Sequence, residues 1–292
     1  MTVEYTDTRV TVVMITHNRR VEVQRSLAQL TRLPEQPRIV LVDNGSTDGT
    51  ALAVALKFPH VTILDVGGNF GAAGRTLGIQ HASTPYVALC DDDAWWEPGA
   101  LAQAADLFDA TPQLAIATAR VLIGPEERED PTCQVMAQSP LPREPGMPGP
   151  ALLGFLAGAS VVRRSAFLSV GGFAPRLFLG GEEELLAADL AAAGWWLCYV
   201  PALTVHHYPS QQRNIALRRR YLVRNTLWFA WMRRPLSGAL RRTLAVVRSI
   251  PGNRAALAGF ASALIGLPWV LRQRRVLPPE IEYRLRLLDA QR

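Results

Sequence analysis

Four short apolar runs rich in β-branched residues, Val10–Ile15, Ile39–Val42, Val61–Leu64 and Tyr86–Cys90, punctuate the first third of the chain. Runs of this kind, apolar on both faces, suit strands covered on both sides. Between and after them lie segments of helical period over Val21–Leu33, Thr50–Phe58, Ala72–His81 and Pro98–Ala110. Strand alternating with helix predicts βαβ units, a mostly parallel sheet and an α/β fold. In such sheets the loops after the carboxyl ends of the strands form the ligand crevice. Here all four are polar: "THNRR", "DNGSTDGT", "DVGGNFGAAGR" and "DDDAWWEPG". Asp48, just before Gly49 and Thr50, also reads as a helix N-cap, which needs no ligand.

The 292 residues suffice for one large core or two modest ones, and 49% hydrophobic with 19% charged content excludes disorder of the whole chain. Three cysteines, Cys90, Cys133 and Cys198, are odd in number and far apart with no CxxC pair. That argues against a disulfide framework and a structural zinc, and fits a reducing, cytoplasmic setting. The opening "MTVEYTDTRV" carries acids and no apolar stretch of signal-peptide length. Charge is uneven: Arg213–Arg292 holds 17 basic and 3 acidic residues, leaving 31 − 17 = 14 basic and 25 − 3 = 22 acidic in residues 1–212. The front is therefore near −8 and the tail near +14. A basic tail serves nucleic acid, an anionic membrane surface or a phosphate-bearing acceptor.

From Gly124 to Pro150 seven prolines and mixed charge without periodicity predict a long flexible loop, of a length that is usually functional or disordered. The chain resumes with "GFLAGASVVRRSAFLSVGGF", a strand, a short helix and a Gly-Gly turn, then a helix opening on Glu182, Glu183 and Glu184. Beyond "VPALTVHHYPS" it is arginine-studded helix. The run Ala255–Leu271 is almost uncharged but at the short limit for a span and interrupted by Pro268, so it reads as interfacial or helix-packed.

Three clusters carry chemistry. Asp91, Asp92 and Asp93 follow the fourth strand. They form either a solvated turn before the next helix or a site for a hard divalent cation shared with phosphate oxygens. Three glutamates at a helix start suit the dipole, yet exceed what capping needs, so one can face the crevice as a general base. His206 and His207, at a strand exit, are either hydrogen-bonded structure or a nitrogen ligand to the same cation. No GxGxxG, GxxxxGK[ST] or GxSxG occurs, which removes support for a dinucleotide fold, a P-loop ATPase and a serine hydrolase.

In order, the motifs resemble those of the family 2 glycosyltransferases of the GT-A fold, over about Val10–Pro209. "VTVVMITHNRR" is similar to the family's first strand and nucleotide loop, "VDNGSTDGT" to its best-known signature and "CDDDAWWEPGAL" to its DxD element. "FLAGASVVRRSAFLSVGGF" with "FLGGEEELLAADLAAAGW" resembles the acceptor-side segment. The resemblance implies a GT-A domain over residues 1–212, with a basic helical region over 213–292. It implies that Thr16, Asn18, Arg19 and Asp43 line the base and ribose pocket, and that Asn69, Gly71, Gly74 and Arg75 border the phosphates and sugar. Asp91 and Asp92 would serve the sugar nucleotide, and Asp93 with Asp91 its Mn²⁺ or Mg²⁺. His206, or failing that His207, falls at the family's histidine metal ligand. Glu183 falls at the base, with Glu182 beside it. Two departures stand out: the base is Glu instead of Asp, and Leu185 replaces a frequent second Asp. "QQRN" lacks the tryptophan of processive members, which points to single-sugar transfer.

The implied function is inverting transfer of one sugar from a UDP-, dTDP- or GDP-sugar to a saccharide or lipid-linked hydroxyl in cell-surface glycan assembly. The setting would be cytoplasmic, peripheral at the inner membrane face, as in bacterial rhamnosyltransferases. The rivals are a nucleotide-sugar-binding protein that has lost catalysis and a basic nucleic-acid-binding protein. The nucleic-acid reading leaves the acidic front half unexplained, and the tail's aromatics, Trp228, Phe229 and Trp231, cluster in apolar helix as for packing or membrane contact, so nucleic acid is not expected as a partner.

Overall fold

A computed structural model describes residues 8–210 and 215–291; Met1–Asp7 and Gln211–Asn214, with the "QQRN" element, lie outside the described residues. The expected alternation is present as β1 (Val10–Thr16), α1 (Arg20–Leu30), β2 (Arg38–Asp43), α2 (Thr50–Lys57), β3 (Thr62–Asp65), α3 (Gly74–His81), β4 (Tyr86–Asp91) and, after a short strand, α4 (Ala100–Ala110). β2, β1 and β4 run parallel, Val12 lying opposite both Ile39 and Ala88. Their side chains are buried almost throughout.

The short strand is β5 (Ala94–Trp96), followed by β6 (Leu114–Ile123), β7 (Arg128–Glu129), α5 (Pro131–Ala137), β8 (Ser160–Arg163), α6 (Arg164–Ser169), α7 (Glu182–Ala192) and β9 (Trp196–His207). One nine-stranded sheet results, in the order β3-β2-β1-β4-β8-β6-β9-β5 with β7 on β6. β6 and β9 are parallel, whereas β8 is antiparallel to β4 and β6, and β5 is antiparallel to β9. The order reverses at β1, flanked by β2 and β4, so a crevice opens at the carboxyl ends of these strands.

Two local expectations change. The proline-rich stretch contains α5, started by Pro131 at a first-turn position with the Asp130 carboxylate accepting from Thr132 N at 2.8 Å. Asp48 caps one residue early: Gly49 is the flanking residue of α2, and Asp48 Oδ1 accepts from Thr50 N at 3.0 Å.

The tail folds as α8 (Ile215–Arg233), α9 (Leu236–Arg248), α10 (Arg254–Ile265), α11 (Leu267–Arg272) and α12 (Pro279–Asp289). Ala255–Leu271 therefore spans two short helices, and α10 packs on α8 through Trp228 Nε1 donating to Ala263 O at 3.0 Å. Among the described residues no helix is long and apolar enough to cross a membrane. Leu227, Trp228, Phe229 and Met232 of α8 join the same buried cluster as the sheet.

Candidate functional site

A cleft of about 340 Å³ opens at the carboxyl ends of β1 and β4. Thr16 and Arg19 line it from the first loop, Asn69, Gly71 and Arg75 from the third, and Asp91, Asp92 and Asp93 form its floor. The other expected residues stand behind this wall. Asp43 is buried and accepts from Ser46 N at 2.8 Å, while Asn18 accepts from Thr47 N at 2.7 Å. Asp43 thus closes the turn of the second loop, and Asn18 braces the first loop against it. Gly74 starts α3 and lies against the Asn44 side chain.

Each aspartate of the triplet has its own partner, which is how three adjacent carboxylates are held at a strand end. Asp91 pairs with Arg75, itself 7% exposed. Asp92 accepts from Thr16 Oγ1 at 2.9 Å and faces Arg19 at 3.9 Å. Burial nevertheless pushes the Asp92 carboxyl up to about 7, against the pull of Arg19. For Asp93 burial also opposes the charge, but His207, the Ser210 amide and Arg19 outweigh it and hold its pKa below the ordinary value. The distances are 3.3 Å from His207 Nε2, 3.1 Å from Ser210 N and 3.6 Å from Arg19.

The histidine pair separates by strand alternation. β5 sets Ala94 opposite His207 and Trp95 opposite His206. His207 turns to Asp93, whereas His206 turns to the other face, against Glu97, with Glu127 at 3.5 Å and the Trp95 ring stacked at 5.7 Å. Of the two positions open in the sequence, His207 is therefore the one beside the triplet. Asp93 Oδ1 and His207 Nε2, 3.3 Å apart, have the spacing of neighbouring ligands on an octahedral ion, about 3 Å for bonds near 2.1 Å. Among the described residues no group of three or more His, Cys, Asp or Glu side chains is assembled as a metal site. A cation here would need oxygens from its ligand as well.

The glutamates of α7 also part ways. Glu182 is 4% exposed, and its Oε2 has no hydrogen-bond partner. Burial and the neighbouring Glu183 raise its pKa. Glu183 lines a cavity of about 190 Å³ together with Asp91, His207 and Arg218, which touches the first cleft through Asp91 and Arg218. On its other side Glu183 lines a largely apolar cavity of about 340 Å³ walled by Met136, Leu152, Phe155, Leu222 and Leu285. Burial raises the Glu183 pKa, opposed by Arg75 and by the Ala157 amide. One carboxylate thus stands between a polar cleft and an apolar one, and its burial favours the protonated form.

Several lining residues were not singled out in the sequence. His17 Nδ1 contacts Asn44 O at 2.8 Å, and Asn44 Nδ2 donates to Gly71 O at 3.1 Å while its buried Oδ1 has no partner. Arg75 Nε is likewise buried and unpartnered. Two orphaned polar atoms in one cleft are the mark of a polar ligand's site. Gly71, at φ +57°, would drive a Cβ into the Phe178 carbonyl, and a Cβ at Gly158 would strike the Asp91 carboxylate. Both glycines were legible as glycines, but what they make room for comes from segments about 70 to 110 positions away in the chain.

Comparison with known proteins decides the kinship. The family description "Glycosyl transferase family 2" matches residues 11–171, more than half of the chain. The chain belongs to glycosyl transferase family 2. An N-acetylglucosaminyl-diphospho-decaprenol L-rhamnosyltransferase of Mycobacterium tuberculosis is 30% identical over 277 residues, covering 80% of this chain and 90% of that protein. Among solved structures, a mannosyltransferase from Pyrobaculum calidifontis in complex with GDP-Man and Mn²⁺ superposes with a TM-score of 0.59 at 19% identity, covering 97% of this chain and 75% of that one. S. aureus TarS 1–349 superposes at 0.61 and 16% identity, covering 97% and 87%. At such identities the superpositions speak for the fold, which is GT-A. As a family 2 glycosyltransferase this chain is an enzyme, and its cleft lies at the carboxyl ends of the strands, where open α/β sheets bind ligands.

Proposed function

We propose that the chain moves a single sugar, with inversion, from a nucleoside-diphosphate sugar to a hydroxyl of a lipid-linked saccharide, as a step of cell-surface glycan assembly at the inner membrane face. The observation that carries this is the Asp91–Asp93 floor of the polar cleft, joined through a small cavity to Glu183 and the apolar cavity beyond. Donor and acceptor would approach Glu183 from opposite sides. The relative's name, with its diphospho-decaprenol acceptor, supports an acceptor carrying an apolar chain. An apolar cavity of about 340 Å³ suits the atoms next to the reacting hydroxyl.

In this reading Thr16, His17 and Arg19 lie against the nucleoside, and Arg75 and Asn69 against the diphosphate and sugar. Asp93 and His207 would hold a Mn²⁺ or Mg²⁺ that arrives with the diphosphate, and Asp91 would face the sugar. The cation would supply charge neutralisation for the departing diphosphate. Glu183 accepts the acceptor hydroxyl's proton as the oxygen attacks C1, and the C1–O bond to the diphosphate breaks on the far side. One displacement inverts the centre and needs no covalent intermediate. Glu182, buried and facing none of these cavities, tunes its neighbour's charge.

The test is thermal stabilisation by UDP, dTDP and GDP, with and without Mn²⁺, on the wild-type chain and on Asp93→Ala. One nucleotide is expected to raise Tm only with the metal, by about 2–3 kcal/mol of linkage at 100 times Kd, and Asp93→Ala to lose the metal's share. A chain that no nucleotide stabilises would sink the reading.

A further inference from the structure

Helix α9 is amphipathic the wrong way round for a solvated protein surface. Its inward face is small: Gly238, Ala239 and Val246 are buried, and Thr243 accepts from Trp231 Nε1 at 3.0 Å. Its outward face is leucine: Leu236, Leu240, Leu244 and Val247 are 61%, 58%, 49% and 41% exposed. At 3.6 residues per turn these four fall within an arc of about 80°, and Arg241 and Arg248 border that arc on one side. Helix α10 continues the surface, with Leu257 and Leu264 each 55% and Ile265 82% exposed, and Arg254 at its start. Between the helices lies an apolar cavity of about 110 Å³ lined by Thr243 of α9, Phe260 and Leu264 of α10 and Trp231 of α8.

We propose that the α9–α10 face docks on an anionic lipid bilayer, the leucines entering the acyl boundary and the arginines pairing with lipid phosphates. The choice of partner rests on charge. Between Arg213 and Pro279 the chain has fourteen arginines and no acid, and among the described residues no ion pair engages Arg241, Arg248 or Arg254. Leucine on the face with arginine at its margin is the pattern of an interfacial helix, whose long cationic side chains reach up to the headgroups. A second copy fits poorly, because isologous pairing would set the same arginines against each other across the contact. α10 is joined to α8 by Arg220 donating to Ser262 Oγ at 2.9 Å, less than a turn beyond Leu217 and Arg218, which line the donor cleft. This inference deepens the proposed membrane location, yet it stands on the surface alone.

The experiment is flotation of the full chain with vesicles of phosphatidylcholine, and of phosphatidylcholine with about 30 mol% phosphatidylglycerol. The variants are Leu240→Asp/Leu244→Asp and Arg241→Ser/Arg248→Ser, all at exposed positions, with Tm as the fold control. The wild type is expected to bind the anionic vesicles at least about tenfold more tightly than the neutral ones, less so at high salt. The leucine pair is expected to lose at least about tenfold and the arginine pair several-fold, with Tm unchanged. No flotation, or flotation that the leucine pair leaves intact, overturns the proposal. So does a dimer in solution that the leucine pair dissolves, since the face would then belong to a second copy. Flotation without any nucleotide stabilisation would leave this face standing and remove the proposed transfer, so the two failures are distinguishable.

Discussion

Glu182 and Glu183 are adjacent in sequence and unlike in surroundings, and the difference is testable. Glu183 borders both cavities, so Glu183→Gln is expected to cut transfer by roughly 10²–10⁴-fold while nucleotide stabilisation persists. Initial rates beside a thermal-shift titration check both halves. Because burial raises its pKa above the usual 4.5, the acid limb of kcat against pH should lie above that value, activity falling as the base is protonated. Glu182 predicts an effect on stability instead. Its folded pKa lies above 4.5, so folding favours its protonated form. That contribution is complete below the unfolded value and is lost as pH rises through the folded one. Glu182→Gln should therefore stabilise the chain by about 1–3 kcal/mol at pH 8, with the gain vanishing near pH 4.5, as thermal melts at the two pH values would show. An equal gain at both would disprove the sign. The sequence could present these residues only as a run of acids at a helix start. Which one borders the cavities depends on where the Ala157–Gly158 segment lies, and that segment is placed by β8 pairing with β4 and β6.

At the level of elements, the loop Leu177–Gly181 connects the two halves of the site, because Phe178 lines the donor cleft and Glu183 follows it on α7. Asn225 of α8 holds that loop: it is fully buried, and Nδ2 donates to Leu177 O at 2.8 Å, to Leu179 O at 3.2 Å and to Gly180 O. Asn225→Ala would take this donor from the Leu179 and Gly180 carbonyls, whereas Leu177 O keeps Arg224 Nη2 at 2.8 Å, at a cost of about 1–3 kcal/mol. The expected signature is a lower urea midpoint together with reduced kcat; a stability loss with full activity would mean that the loop needs no brace. The first four strands and helices were legible because each carries its signal in its own residues, a continuous apolar run for the strands and a helical period for the helices. The second half of the sheet was less so. β5 is three residues long and exists only by pairing with β9, more than a hundred residues later, a partnership that local pattern cannot carry. That pairing separates His206 from His207, which is why the sequence left both open. Helix α5 was hidden for the opposite reason: Asp130 and Pro131, counted as loop residues, are its cap and its first turn.

The whole molecule shows where the uneven charge goes. An acidic front near −8 and a basic tail near +14 suggested two regions, and the structure ties them by ion pairs, one of them buried. Arg233 of α8 donates to both carboxylate oxygens of Asp189 on α7, at 2.6 and 3.0 Å, each residue less than a tenth exposed. Arg284 of α12 also reaches across, to Glu144 at 2.6 Å, while Arg234 works within the tail, holding α12 through Glu282 at 3.0 and 3.1 Å and through Asp289. Taking such charges out of water is costly, so each pair holds only while both partners stay in place. The helical tail should therefore unfold together with the sheet, in one transition followed equally by tryptophan fluorescence and by far-ultraviolet circular dichroism. Asp189→Ala strands Arg233 and is expected to cost about 3–5 kcal/mol without splitting that transition. Replacing both partners, as in Asp189→Leu/Arg233→Met, should recover most of the loss, since the expense lies in the unpaired charge. Two separate transitions in the wild type would instead make the tail an independent domain, and the contact through which α8 sets Phe178 and Glu183 would then open without unfolding the sheet.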